Sequence, residues 1–229
     1  MRMGVLFSGG KDSCLALYKA MKIHEIVCLI SLISKNKESY MFHTPNIELT
    51  KMQAEAIKLP IIQKITKGEK EKELKDLKEI LSLAKERFGI EGVVTGAIKS
   101  MYQASRIQRI CKELDLQCFN PLWHKDQIEI LKELVENNFK VIISGVFAFP
   151  LDKSFLGKII DKEMIEKLKK LMEKYDLNPA GEGGEIETTV LDAPFFNKRI
   201  EILDYDISYE NNSGVFRIKN ARLVDKKNS

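Results

Sequence analysis

The densest run of ligand chemistry in this chain is six residues long: Ser8, Gly9, Gly10, Lys11, Asp12 and Ser13. Paired glycines let a backbone turn tightly and approach a ligand closely, and a helix that starts there points unsatisfied N–H groups at the same spot. The natural occupant is an anion. Ser8 and Ser13 hydroxyls can donate to phosphate oxygens, Lys11 can neutralise charge, and Asp12 can hold Mg²⁺ against those oxygens. The spacing is neither GxxxxGK[ST] nor GxGxxG, which disfavours a Walker A loop and a dinucleotide fingerprint. A plain glycine turn with a serine cap would use the same letters; the position after an N-terminal apolar strand favours phosphate.

Three further groups could do chemistry. ESYMFHTPN (38–46) follows an apolar stretch; His43 there is a candidate for lining a nucleotide site rather than a base, and Thr44 and Pro45 read as a helix cap and first turn. In TGAIKSMYQASR (95–106), Gly96 permits close backbone approach and Ser100 and Gln103 have capping-box spacing. Tyr102, Arg106 and Arg109 then share one helical stripe, which suits phosphate or carboxylate recognition or, equally simply, a solvated basic face. In GEGGEIETTVLDAPFF (181–196), Gly181, Gly183 and Gly184 interleave with Glu182 and Glu185, and Glu187 and Asp192 follow. A strand beginning at Glu185 would put Glu185 and Glu187 on one face, an acidic platform for Mg²⁺, a cationic substrate or ammonia. A glycine turn leading into a solvent-facing edge strand fits the same letters.

The elements that must position these groups alternate. Apolar, strand-like runs at 3–7, 26–33, 61–65, 91–95 and 140–144 are separated by helical periodicity at 12–22, 46–58, 70–88, 101–116 and 126–138. Such alternation predicts an α/β fold with a parallel sheet covered on both faces. After residue 147 a lysine-rich helix (161–175) and an alternating tail turning at Asn211–Gly214 predict a smaller α+β unit, so the chain divides into 1–147 and 148–229. With 229 residues, 37 basic against 33 acidic and no charge block, the chain gives no reason to expect nucleic acid. No run approaches the roughly 20 apolar residues that cross a bilayer, and no cleavable signal pattern opens the sequence, so a cytoplasmic protein is expected. Cys14, Cys28, Cys111 and Cys118 lie in apolar segments without CxxC spacing and read as reduced core thiols.

The SGGKDS run is similar to the PP-loop of the ATP pyrophosphatases, which cleave ATP between its α- and β-phosphates. Taken in order, SGGKDS, ESYMFHTPN, TGAIKSMYQASR, NPLW (120–123) and GEGGEIETTVLDAPFF resemble the diphthine–ammonia ligase family. The resemblance implies a parallel-sheet, adenine nucleotide α-hydrolase-like (HUP/PP-loop) domain and a family-specific C-terminal domain. It also implies an AMP-forming ligase that uses ATP and Mg²⁺ to amidate diphthine on translation elongation factor 2 with ammonia, without membrane association; a homo-oligomer is compatible with it. Residues 8–13 would then hold pyrophosphate, with Asp12 as the metal ligand and Lys11, Asp12, Arg106, Glu185 and Glu187 catalytic. His43, Gly96 and Tyr102 would line the nucleotide. Tyr102 and Arg106 would serve the cleft, and Glu182, Gly183, Gly184, Glu185 and Glu187 the substrate or ammonia. The segment from Gly145 to Lys158 departs from the family pattern, with Lys158 in place of an arginine and Phe149–Pro150 in place of smaller residues. Another PP-loop ligase acting on tRNA or a small molecule, and a non-catalytic ATP- or AMP-binding regulator, are the alternatives.

Overall fold

The computed structural model describes residues 1–34, 45–67 and 70–226. Strands β1 (Arg2–Leu6), β2 (Glu25–Ser34), β3 (Ile61–Thr66), β4 (Gly92–Val94) and β5 (Gln117–Phe119) form a parallel sheet in the order β3-β2-β1-β4-β5. Helices α1 (Lys11–Ala20), α2 (Thr50–Ile57), α3 (Lys70–Phe88) and α4 (Met101–Glu113) connect them. Strand alternation sorts the apolar side chains onto two faces. Met3, Val5, Leu29 and Val94 pack with Cys14, Leu17, Ala54 and Ile57, whereas Cys28, Ile30, Leu32 and Val93 pack with Leu77, Leu81, Ile107 and Cys111. Thus α1 and α2 cover one face, and α3 and α4 the other. The cysteines are free thiols, three of them buried.

One expected strand belongs elsewhere. Residues 140–144 are extended, but β6 (Lys140–Val146) lies in a second, antiparallel sheet of order β7-β6-β9-β8 with β7 (Ile186–Asp192), β8 (Lys198–Glu210) and β9 (Ser213–Asp225). The fifth parallel strand is β5, three residues long. A short apolar run reads alike in either kind of sheet, and three residues are too few for a period, so sequence alone could not separate the cases. The second sheet therefore begins before residue 147. Helix α5 (Gln127–Glu136), capped by the Asp126 carboxylate on the amides of Ile128 and Glu129, leads into it. Helix α6 (Lys162–Tyr175), capped by Asp161 on Met164 N, connects β6 to β7. At the β8–β9 turn Asn211 and Asn212 have φ 49° and 59°, as a two-residue hairpin of type I′ requires.

The second sheet packs on the α1 face. Val141, Ile143, Val190, Ile200 and Phe216 join the same core cluster as Val5 and Leu17. Asn46 fastens the joint from the other side, donating from Nδ2 to Thr189 Oγ1 (3.2 Å) and Phe216 O (3.0 Å) and accepting from Ile218 N (2.8 Å). Asn46 has φ 62° and precedes a 3₁₀ turn at Ile47–Leu49, so helix entry comes after Pro45 and not at it. His43 and Thr44 lie outside the described residues. No helix among the described residues is long and apolar enough to cross a membrane.

Candidate active site

In the order β3-β2-β1-β4-β5 the chain winds outward in opposite directions from β1 and β4, so the crevice of this open sheet lies beyond their carboxyl ends. The loops that leave those two strands are residues 7–10 and 95–100. They touch. A Cβ on Gly96 would fall 2.8 Å from the carbonyl carbon of Asp12 and 2.9 Å from Ser13 N. The close approach expected at Gly96 is thus to the first turn of α1.

The glycine loop is held from behind. Gly9 has φ +76°, and its carbonyl accepts from Gln53 Nε2 (2.9 Å) and Val190 N (3.0 Å). The same Gln53 amide donates to Val190 O (2.8 Å), and Thr188 Oγ1 accepts from Lys11 N (3.0 Å). Ser8 and Ser13 face each other, Oγ to Oγ 3.2 Å, and Ser13 also donates to Gly10 O (3.1 Å), so the hydroxyls brace the turn as well as facing it. Gly10 is the N-cap of α1 and supplies no capping side chain. The amides of the first helical turn have no acceptor within the helix, which leaves an anion-binding terminus at the crevice.

Beside that terminus lies a charged cluster. Lys11, only 2% exposed, places Nζ 2.7 Å from Asp12 Oδ2. The other Asp12 oxygen is buried without a hydrogen-bond partner among the described residues. No three acidic, histidine or cysteine side chains converge on a cation position among the described residues. The donor set is therefore one free carboxylate oxygen plus whatever phosphate oxygens a nucleotide brings, which is how Mg²⁺ is commonly held at phosphate sites. Half-buried Glu187 on β7 feels both neighbours. Burial pushes its carboxyl up to about 7; the Lys11 charge works against that rise and the Asp12 charge adds to it.

The other two acids have separate tasks. Glu182 Oε1 accepts from the amides of Lys99 and Ser100 (2.9 Å each), just ahead of α4. Burial raises its pKa against those two hydrogen bonds. Glu185 precedes β7 rather than starting it, and its Oε1 accepts from Asn178 Nδ2 at 2.5 Å. The expected single platform of Glu185 and Glu187 is therefore resolved into two carboxylates with different partners.

A family model described as "Diphthamide synthase N-terminal domain" matches residues 1–118, and one described as "Diphthamide synthase C-terminal domain" matches residues 126–224. The "Diphthine--ammonia ligase" of Mus musculus is 38% identical over 222 residues, 88% of this chain and 83% of that protein. The Homo sapiens protein of the same name is 37% identical, with 87% and 82% covered. The chain belongs to the diphthamide synthase family. The Schizosaccharomyces pombe relative, 35% identical, matches 99% of this chain over 40% of its own length. A solved structure described as "predicted subunit of tRNA methyltransferase from Methanocaldococcus jannaschii DSM" covers 85% of this chain and 98% of its own at 18% identity and a TM-score of 0.46, too loose a likeness to bear on function.

The two diphthamide synthase regions build the crevice jointly. The first supplies the glycine loop, Gln53 and Gly96; the second supplies Thr188, Glu182 and Glu187. On α4, Arg106 stacks on Tyr102 with its guanidinium carbon 3.5 Å from the ring centroid. Arg109 departs from the expected stripe: it pairs with Glu113 at 3.1 Å and is 81% exposed, the solvated alternative. In the segment from Gly145 to Lys158, Lys158 is exposed and the Phe149–Pro150 bond is cis. Gln53 and Thr188 went unnoticed in the sequence. Their polar and charged neighbours, TKMQAE around Gln53 and EIETTV around Thr188, give no sign that both are almost wholly buried.

Proposed function

We propose that this chain is an ATP-dependent, AMP-forming ligase that amidates diphthine on translation elongation factor 2 with ammonia, in the cytoplasm. One observation carries the reading: an N-terminus of α1 whose own cap residue, Gly10, has no side chain, fixed in a topological crevice by Gln53 and by Thr188, which takes up only the first helical amide. The substrate carboxylate attacks the α-phosphate of ATP, giving an acyl-adenylate and pyrophosphate. Ammonia then displaces AMP and releases a proton. The first-turn amides of α1 that follow Lys11, and the Lys11 ammonium, take up charge on the departing pyrophosphate, a preformed electrostatic contribution that costs no reorganisation during the reaction. Mg²⁺, when bound, supplies further neutralisation at the phosphates, and Asp12 would hold it.

Tyr102 and Arg106 offer a flat cationic face for nucleotide or carboxylate. Glu185 and Glu187 give the crevice acidic groups for ammonia and for a cationic substrate, while Glu182 ties the acidic segment to the entry of α4. Incubation with ATP, Mg²⁺, ammonium and the diphthine-bearing factor tests the proposal. AMP forms only in the complete mixture; tight ATP binding without turnover would instead identify a nucleotide-binding regulator.

A further inference from the structure

Glu185 is the terminus of a chain of amides that begins at a backbone group and so has one possible orientation. Ala180 N can only donate, and it donates to Gln127 Oε1 at 3.0 Å. Gln127 must then present Nε2 to Asn178, and it donates to Asn178 Oδ1 at 2.9 Å. That leaves Asn178 Nδ2 to face Glu185 Oε1, at 2.5 Å. Each side-chain amide has its oxygen claimed from upstream, so neither can flip without setting acceptor against acceptor.

The backbone of Glu185 is fixed too, because its carbonyl accepts from Phe147 N at 2.9 Å. Gly183 makes room for the carboxylate: a Cβ there would lie 2.7 Å from Oε1 and 2.9 Å from Oε2. Gln127 is the first residue of α5, a rigid element. All this machinery holds one oxygen of Glu185. The other, Oε2, is buried and has no hydrogen-bond partner among the described residues. A buried acceptor left unsatisfied is costly, more so when charged, and an N–H donor arriving there recovers that cost.

We propose that Asn178 and Gln127 are positioning residues that hold Glu185 so that its second oxygen receives ammonium, the nitrogen source of the ligase reaction. The inference rests on the ligase reading for the identity of the donor. Ammonium suits the position because it carries N–H donors on every side and a charge opposite to the carboxylate.

The test uses the full-length chain and the variant Asn178→Asp, which keeps the shape and still accepts from Gln127 but turns an acceptor toward Glu185. With saturating ATP and elongation factor, the KM for ammonium rises roughly tenfold or more, kcat at saturating ammonium stays within about threefold, and the KM values for ATP and the factor hold. In the double variant with Glu185→Gln the hydrogen bond is restored with donor and acceptor exchanged; the melting temperature recovers and the ammonium KM does not. An unchanged ammonium KM in folded Asn178→Asp, or a rise confined to the factor's KM, overturns the proposal. An arm without turnover separates it from the ligase reading: ammonium chloride raises the melting temperature of the unaltered chain above that in equal sodium chloride, and Asn178→Asp removes the increment. No increment in the unaltered chain overturns the proposal, whereas an increment without any AMP formation supports the relay and strikes only the ligase reading.

Discussion

The two glycine-bearing segments of the crevice are built on opposite plans. In residues 8–13 the groups offered to a ligand are main-chain amides, and side chains from elsewhere, Gln53 and Thr188, fix the backbone that carries them. In residues 181–187 the groups offered are carboxylates, and amide donors from elsewhere, at Lys99, Ser100 and Asn178, fix the side chains. A backbone site is encoded by the glycines that shape it. A side-chain site is encoded by partners that lie 82 residues away in the case of Glu182 and Ser100. The first is already formed before a ligand arrives, and the second is held at one oxygen each of Glu182 and Glu185.

The contrast is broken most severely at Gly9. Alanine there meets a left-handed φ of +76° and a Cβ position 2.1 Å from Gln53 Oε1. Gln53 cannot swing aside without surrendering its bonds to Gly9 O and Val190 O, each worth about 1 kcal/mol, and the strained backbone adds about 1 kcal/mol more. Gly9→Ala is expected to lose about 3 kcal/mol in urea denaturation and roughly 100-fold or more in AMP formation. Near wild-type values would mean that the loop is not preformed. Asp12→Asn comes next: it keeps the shape and an acceptor for Lys11 but lowers the charge available to a cation. AMP formation should fall about 100-fold with stability changed by about 1 kcal/mol or less, and unchanged turnover would remove Asp12 from metal binding.

How much could be read in advance follows the same division. Helix α3 spans the residues that the periodicity gives, and the glycine loop sits at the strand-to-helix junction that its letters require, because both depend on local spacing. Membership of β6 in the second sheet, the three-residue β5, and the brace from Thr188 to Lys11 N depend on contacts between distant segments, which no local pattern carries. Glu182 shows the limit well. Its type and glycine surroundings suggest a substrate ligand, yet one of its oxygens is committed to the entry of α4.

Glu187 tests whether the acidic segment is coupled to the loop. Its carboxyl lies near 7 in the folded chain against an ordinary 4.5, so between those values the folded protein keeps a proton that the unfolded chain has released. Stability therefore falls as pH rises through that window, and Glu187→Gln removes the loss. The gain should be absent at pH 4 and reach about 1–2 kcal/mol above pH 7, reduced from the roughly 3 kcal/mol of a fully buried group because Glu187 is partly exposed. A gain that did not change with pH would mean that packing, and not charge, sets the cost of this acid.

The smallest effect belongs to Gly184, and it isolates the conformational part of the Gly9 result. Gly184 also lies in the left-handed region, at φ +86°, but a Cβ there would meet nothing within 4 Å among the described residues. Alanine at 184 thus incurs the backbone strain without the collision, about 1 kcal/mol, or a melting temperature lower by about 2–4 °C for a chain of this size. The difference between Gly9→Ala and Gly184→Ala measures what Gln53 contributes by standing against the loop. Equal losses at the two sites would assign the whole penalty to φ and leave Gln53 without a role in holding the phosphate turn.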